Sequence, residues 1–493
     1  MDSVFNAVAS LSDPFVIFLI IAGTGAGIII GAMPGLGSVL AITLALPLTF
    51  VLAPQSSIIL LLSLYCGSVY GGSLSAIAIN TPGTPQSAAT ILDGYPMMMR
   101  GQGPQAMGWA TVGSTLGGLL SAVILVVAAP LLARFGLEFG PIEYFALGIF
   151  SLTCVVAVSG EARLKGLIAC LMGLLVATIG QDPLTGSVRM NFSSFELSAG
   201  VGLIPLLVGL FALSEVFWRI SNRLDAASTN ASIGFRLPAL QDLLSRWKII
   251  LRSAVIGTGV GTLPGVGATA ASMISYAEAR RVSPNRENFG KGEPDGILAS
   301  ETSNNAVTSG ALVPTLSLGI PGDPITAVML GALTLQGVTP GPRLFTENPD
   351  LTTFIFTGLF AINIAMFALG ALICPLFSRI IRVPEPLLLA AVVVLIAIGT
   401  YSVNFNPFDL GLLLVAGLAG FVMRLLGFPL APVVIGFVLG DMIEQSLRQG
   451  MILTKGDFLG FLNSPIALTL FTLTVVFLLL PPALRFFRSR RAR

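Results

Sequence analysis

The chain contains no histidine. That absence excludes imidazole acid–base catalysis, histidine proton relays and histidine metal ligands together. Cysteine is nearly as scarce. Cys66, Cys154, Cys170 and Cys374 are scattered with no C-x-x-C spacing, so neither disulfides nor a thiolate metal site is expected. Charge is short as well: Asp, Glu, Lys and Arg make up 10% of 493 residues, against roughly 25% in a soluble domain. A net charge of +2 is too small to point to a nucleic-acid partner. Met1–Pro14 has no Lys or Arg, so no cleaved signal is expected there. The apolar runs do not alternate, which excludes an outer-membrane barrel.

What the chain has is hydrophobic length. Hydrophobic residues reach 54% and the mean hydropathy is +0.90. Many runs have the ~17–25 residues that cross a bilayer as helix. The fold class expected is an all-α polytopic membrane protein with about 11 to 14 membrane segments.

Two of these runs contain proline pairs that cannot continue a helix. Ile79–Gln86 reads INTPGTPQ, and Gly319–Ile325 reads GIPGDPI. Both reduce to x-Pro-Gly-x-Pro, and each is expected to break a membrane span in its middle. A second pattern, G-x-x-P-G-x-G, also occurs twice: at Gly31–Gly37 around Pro34, Gly35 and Gly37, and at Gly261–Gly267 around Pro264, Gly265 and Gly267. Recurrence of two patterns in the same order indicates an internal duplication. The expected organisation is a first transmembrane repeat over 1–220, a polar linker over 221–248, and a second repeat over 249–493 with one extra C-terminal span and a basic tail.

Lys and Arg orient the halves. The second G-x-x-P-G-x-G block is flanked by Arg246, Lys248 and Arg252 on one side and by Arg280, Arg281 and Arg286 on the other. Loops rich in Lys and Arg face the cytoplasm, so this block reads as a hairpin with Pro264-Gly265 at its tip. The first block has no flanking cation and is expected to open on the opposite face. The two repeats are therefore expected to be inverted. The N-terminus falls in the periplasm, and the linker and C-terminal arginines in the cytoplasm. Arg163, Lys165 and Arg424 fall inside; Arg189, Arg448 and Lys455 fall outside.

A broken membrane helix frees backbone polar groups that must be buried in protein or line a wet site. Thr84-Pro85 and Asp323-Pro324 are well made to restart a helix, with an N-cap residue followed by proline. Each restart aims a partly positive helix end inward, where carboxylates are attracted. The candidate substrate-binding residues are Ser73, Asn80, Thr81, Pro82, Gly83 and Thr84 in the first half, with Asn304, Asn305, Thr308, Pro321, Gly322 and Asp323 in the second. Two such ends are expected to hold an organic anion without a buried cationic side chain. Freed carbonyls and side-chain oxygens can also bind sodium, with Asn80 and Asp323 the nearest candidates. Asp323, Glu301 and Asp93 are the candidate intramembrane acids. The competing reading makes each Pro-Gly break a packing kink, the glycines close-packing sites, and Asp93 part of a surface turn at Asp93–Pro96.

The chain resembles the large membrane subunit of the tripartite tricarboxylate transporter family. The resemblance rests on Gly31–Gly37, Tyr70–Gly101, Gly261–Arg280 and Ser303–Gly337, and it spans nearly the whole length. It implies secondary uptake of a tricarboxylate such as citrate, or a related carboxylate, across the bacterial inner membrane, coupled to sodium or protons. It also implies a small membrane subunit, a periplasmic solute-binding protein and no cofactor. Two other classes stand against it. An intramembrane enzyme needs paired acids, a Ser/Lys pair or a metal site, and none is evident. A channel or a structural subunit would show unsaturable flux or none.

Overall fold

The computed structural model describes residues 2–34, 36–158, 162–182, 184–222, 234–377 and 384–491. Among them, seven helices are long and apolar enough to cross a membrane: Pro14–Ala32, Pro54–Ile79, Gly103–Gly136, Leu203–Asn222, Pro349–Leu376, Pro386–Asn404 and Pro407–Leu425. Shorter apolar helices, Gly37–Thr49 and Pro324–Leu335 among them, complete a multi-pass membrane protein. The one β element described is a two-stranded pairing of Gly180–Gln181 with Val188–Arg189 in an inter-helix loop.

Prolines open many of these helices. Pro14, Pro54, Pro294, Pro324, Pro349 and Pro407 sit in first turns, where the missing N–H has no helical partner to lose. Asp13 and Asn406 cap two of them, accepting the amides of Phe15 at 2.8 Å and Phe408 at 2.9 Å.

Both G-x-x-P-G-x-G blocks are helical hairpins. The first pairs Pro14–Ala32 with Gly37–Thr49; the second pairs Trp247–Gly261 with Gly267–Val282. Gly37 and Gly267 begin the returning arms at φ of +67° and +76°, a conformation that penalises any side chain. Gly35 lies outside the described residues.

Each hairpin packs on the helix that precedes a proline break, and the contacts run in parallel. Gly27 and Gly31 lie against the backbone of Leu64 and Ser68; Gly257 and Gly261 lie against that of Ser303 and Val307. Absent side chains let these backbones approach. The two helices so covered, Pro54–Ile79 and Pro294–Leu318, form the buried centre. Pro386–Asn404 lies at the periphery, with most of its surface outward.

The breaks do not bisect their spans. The helices before them have 26 and 25 residues and those after them 12 each. The glycines and serines between Gly67 and Ser75 lower the apparent hydropathy without interrupting the helix, so the full-length helix runs on to Ile79.

Candidate functional site

At the second break the chain leaves its helix through Gly319 at φ +71° and restarts at Pro324. Asp323 makes the restart rigid. Its Oδ1 accepts the Thr326 amide at 2.7 Å and the Thr326 hydroxyl at 2.8 Å, and the Asp323 amide donates back to Thr326 Oγ1 at 2.9 Å. This is a capping box. Oδ2 accepts the Tyr65 hydroxyl from the other broken helix, so both carboxylate oxygens are engaged. The second hairpin tip docks here, Gly265 N donating to Gly322 O at 2.8 Å.

At the first break Asn80 takes the left-handed conformation, φ 57°, and the chain re-enters through a 3₁₀ turn at Pro85–Ser87 before Ala88–Met99. Gly83 N donates to Gly72 O at 3.2 Å, and Ser87 Oγ donates to the same carbonyl at 2.9 Å. Thr84 does not cap the restart with its side chain, contrary to expectation: its hydroxyl is buried without a partner. The Ser87 hydroxyl, at the third position of the new turn, is spent on Gly72 and Thr84 carbonyls, so no reciprocal box forms.

A cavity of about 1180 Å³ lies where these pieces converge. Pro82, Gly83, Pro85 and Gln86 line it from the first break, and Asp323, Pro324 and Ile325 from the second. Gly37 represents the first hairpin tip, Gly265 and Gly267 the second. The remaining expected site residues do not line it. Asn80 and Thr81 are exposed, while Thr84, Pro321 and Gly322 are buried behind the lining. Pro34 and Pro264 stand beside the tips but outside the lining. Asn304, Asn305 and Thr308 are wholly or almost wholly buried in Pro294–Leu318.

Ser73 serves elsewhere. Its hydroxyl donates at 2.6 Å to Glu301, which also accepts Thr90 at the same oxygen and Ser114 at 2.8 Å at the other. One carboxyl group thus ties Pro294–Leu318 to three helices of the first half. Asp93 is buried in the helix Ala88–Met99, not in a surface turn. Its Oδ1 accepts the amides of Gly290, Gly292 and Glu293, each at 2.8 Å, and Oδ2 accepts Tyr276 at 2.8 Å. A carboxylate so fully bonded fixes a loop.

A half-buried cation stands at the cavity. Glu215, Trp218, Arg424 and Phe428 line the cavity. Glu215 pairs with Arg424 and with buried Arg219 at 2.9 Å, and Arg219 donates to Pro34 O at the first hairpin tip. The Glu215–Arg219 spacing of four residues in an apolar run was the visible signal; Arg424, far along the chain, offered none.

A family model described as "Tripartite tricarboxylate transporter TctA family" matches residues 17–435. The chain belongs to the tripartite tricarboxylate transporter TctA family. A TctA relative in Agrobacterium vitis, described as an uncharacterized 52.8 kDa protein in the TAR-I ttuC' 3'region, is 36% identical over 466 residues, covering 94% of this chain and 93% of its own. A second A. vitis protein, described as uncharacterized in the TAR-II ttuC' 3'region, is 38% identical over 224 residues, covering 45% of this chain and 93% of its own. No solved structure matches. Membership makes the chain a membrane transporter subunit, not an enzyme.

Proposed function

We propose that this subunit carries out secondary, cation-coupled uptake of a tricarboxylate or related organic carboxylate, and that the anion binds in the cavity between the two breaks. The observation carrying this reading is convergence: both proline breaks and both hairpin tips line one space. A helix starts at Pro324 on its wall, with its first amides already bonded to Asp323. Arg424 adds a guanidinium suited to bidentate carboxylate binding.

The subunit works in the bacterial inner membrane with a small membrane subunit and a periplasmic solute-binding protein. It consists of two inverted repeats. The parallel hairpin contacts support this: Gly27–Leu64 and Gly257–Ser303 are offset by 230 positions in the hairpins and 239 in the broken helices. Pairing of charges supports the topology. Arg189 and Arg448, both assigned outside, share Glu444 at 2.6 Å each. Lys165, assigned inside, donates to Leu426 O at 2.6 Å beside Arg424.

The test is uptake of a panel of radiolabelled carboxylates into vesicles holding the complete complex, with sodium and pH gradients set separately. Saturable, gradient-driven uptake is expected. Arg424→Gln should raise half-saturation about tenfold, the order of one lost charge-assisted contact, while Glu215 keeps Arg219 as partner. Flux that does not saturate, or none from the full complex, overturns the reading.

A further inference from the structure

The helix Pro294–Leu318 carries polar side chains that no other described group satisfies. Asn304 and Asn305 are wholly buried, and the oxygen and nitrogen of both amides lack hydrogen-bond partners. At the first break, the buried Thr84 hydroxyl is in the same condition. Buried polar atoms in folded proteins are nearly always paired. Such a concentration of unpaired oxygens marks a place suited to a ligand.

The direction of these groups follows from their neighbours. Glu301 meets Ser73, and the Thr308 hydroxyl lies against the Cys66 thiol, so both face Pro54–Ile79. Residues three, four and seven apart share a helix face. Asn304 and Asn305 therefore lie between Glu301 and Thr308, toward the helix that ends in the first break. Their neighbour Ser303 turns its backbone to Gly257 of the second hairpin.

The register of the two breaks gives a partner. Positions 239 apart correspond: Thr84 with Asp323, and Tyr65 with Asn304. The Tyr65 hydroxyl donates to Asp323. The corresponding couple is Asn304 with Thr84, and there both side chains are unpaired.

The chemistry of this couple selects the ligand. It offers amide, hydroxyl and peptide oxygens. No cluster of three His, Cys, Asp or Glu that could hold a metal occurs among the described residues. Hard divalent ions draw on carboxylates, whereas a neutral oxygen set suits a monovalent cation. We propose that Asn304 and Thr84, with Asn305 beside them and the carbonyls of the first break, hold one sodium ion between the two broken helices. Asn304 does not line the large cavity, but Gly83 and Pro85 on either side of Thr84 do. The ion therefore fixes one wall of the cavity without touching its contents. This deepens the transport reading by naming the coupling ion and its seat.

Sodium binding is measured on the purified full chain in nanodiscs, without substrate, as the shift in thermal unfolding midpoint against sodium, potassium and choline chloride at equal ionic strength. A saturable rise with sodium alone is expected. Asn304→Leu and Thr84→Val should each weaken half-saturation about tenfold or more, the order of one lost buried polar ligand. Thr84→Ser, which keeps the hydroxyl, should retain it. Equal responses to the three salts mean a water-filled polar site and overturn the proposal, as does an unaltered sodium response in Thr84→Val. Sodium binding without carboxylate uptake by the complex would leave this site standing and remove the transport reading; proton-driven uptake with no sodium response would do the reverse.

Discussion

At the second break, Asp323 caps the restarting helix, takes the Tyr65 hydroxyl and stands on the cavity wall. At the first, Thr84 occupies the same place in the pattern, caps nothing, and is followed by a 3₁₀ turn. Around them, Ile320 and Pro321 are buried where Thr81 is exposed and Pro82 half-buried. The difference teaches that a Pro-Gly interruption fixes where a helix stops, while the residue before the second proline decides how firmly it resumes. Asp323 has Thr326 three positions on to reciprocate. Ser87, in the matching position, turns to Gly72 and Thr84 carbonyls instead.

The comparison breaks most severely at its glycines. A Cβ on Gly322 would stand 2.7 Å from Ala311 Cα and 2.9 Å from Ala311 O. On Gly83 it would meet the Gly31 carbonyl, with Gly72 Cα at 2.9 Å. These are backbone atoms and cannot rotate aside. Gly83→Leu and Gly322→Leu should abolish uptake, and Gly322→Ala should cost about 1–3 kcal/mol by overpacking. Vesicle uptake and unfolding in detergent measure both; wild-type transport by either leucine variant would sink the assignment of the breaks to the site.

A sharper arm contrasts the two caps. Asp323→Ala should lose about 0.5–2 kcal/mol, together with an acceptor for Tyr65. Thr84→Ala, measured without sodium, loses no cap and should cost about 1 kcal/mol or less, the order of one buried methyl. Equal losses on unfolding would show that the breaks close alike.

The smallest effect lies away from both breaks and serves as their reference. In the loop before Leu203, the Asp182 carboxyl is lowered from its ordinary 3.8 to about 2, chiefly by the Leu184 amide, then by the Thr185 amide and Arg448. A carboxylate held below its unfolded value adds stability that is fully present above about pH 4 and fades as pH falls toward 2. Asp182→Asn should flatten unfolding profiles in that window and leave the neutral range nearly unchanged. An acid limb that persists in the variant would assign it to another group.

Much of the membrane architecture was legible from the sequence. Apolar runs of crossing length return as helices, Pro141–Val158 and Glu385–Asn404 among them. Hydropathy acts locally, and each span satisfies its own backbone. Asp323 as an N-cap was legible for the same reason. The failures are non-local. Ser73 looked like a ligand because its small polar neighbours resemble a site; its partner Glu301 lies 228 positions away. Arg424 marks only topology in the sequence, since nothing near it announces Glu215, 209 positions earlier.

The amino-acid sequence alone determined that this chain dissolves in lipid, where its helices stop and that its two Pro-Gly devices recur, because hydrophobic length, proline and glycine act over one or two turns. Tertiary structure alone decided which polar groups meet. The cavity, the Glu301 junction and the Arg424–Glu215–Arg219 cluster each join side chains from distant helices. Their contacts depend on helix crossing and rotation, which packing sets across the whole fold.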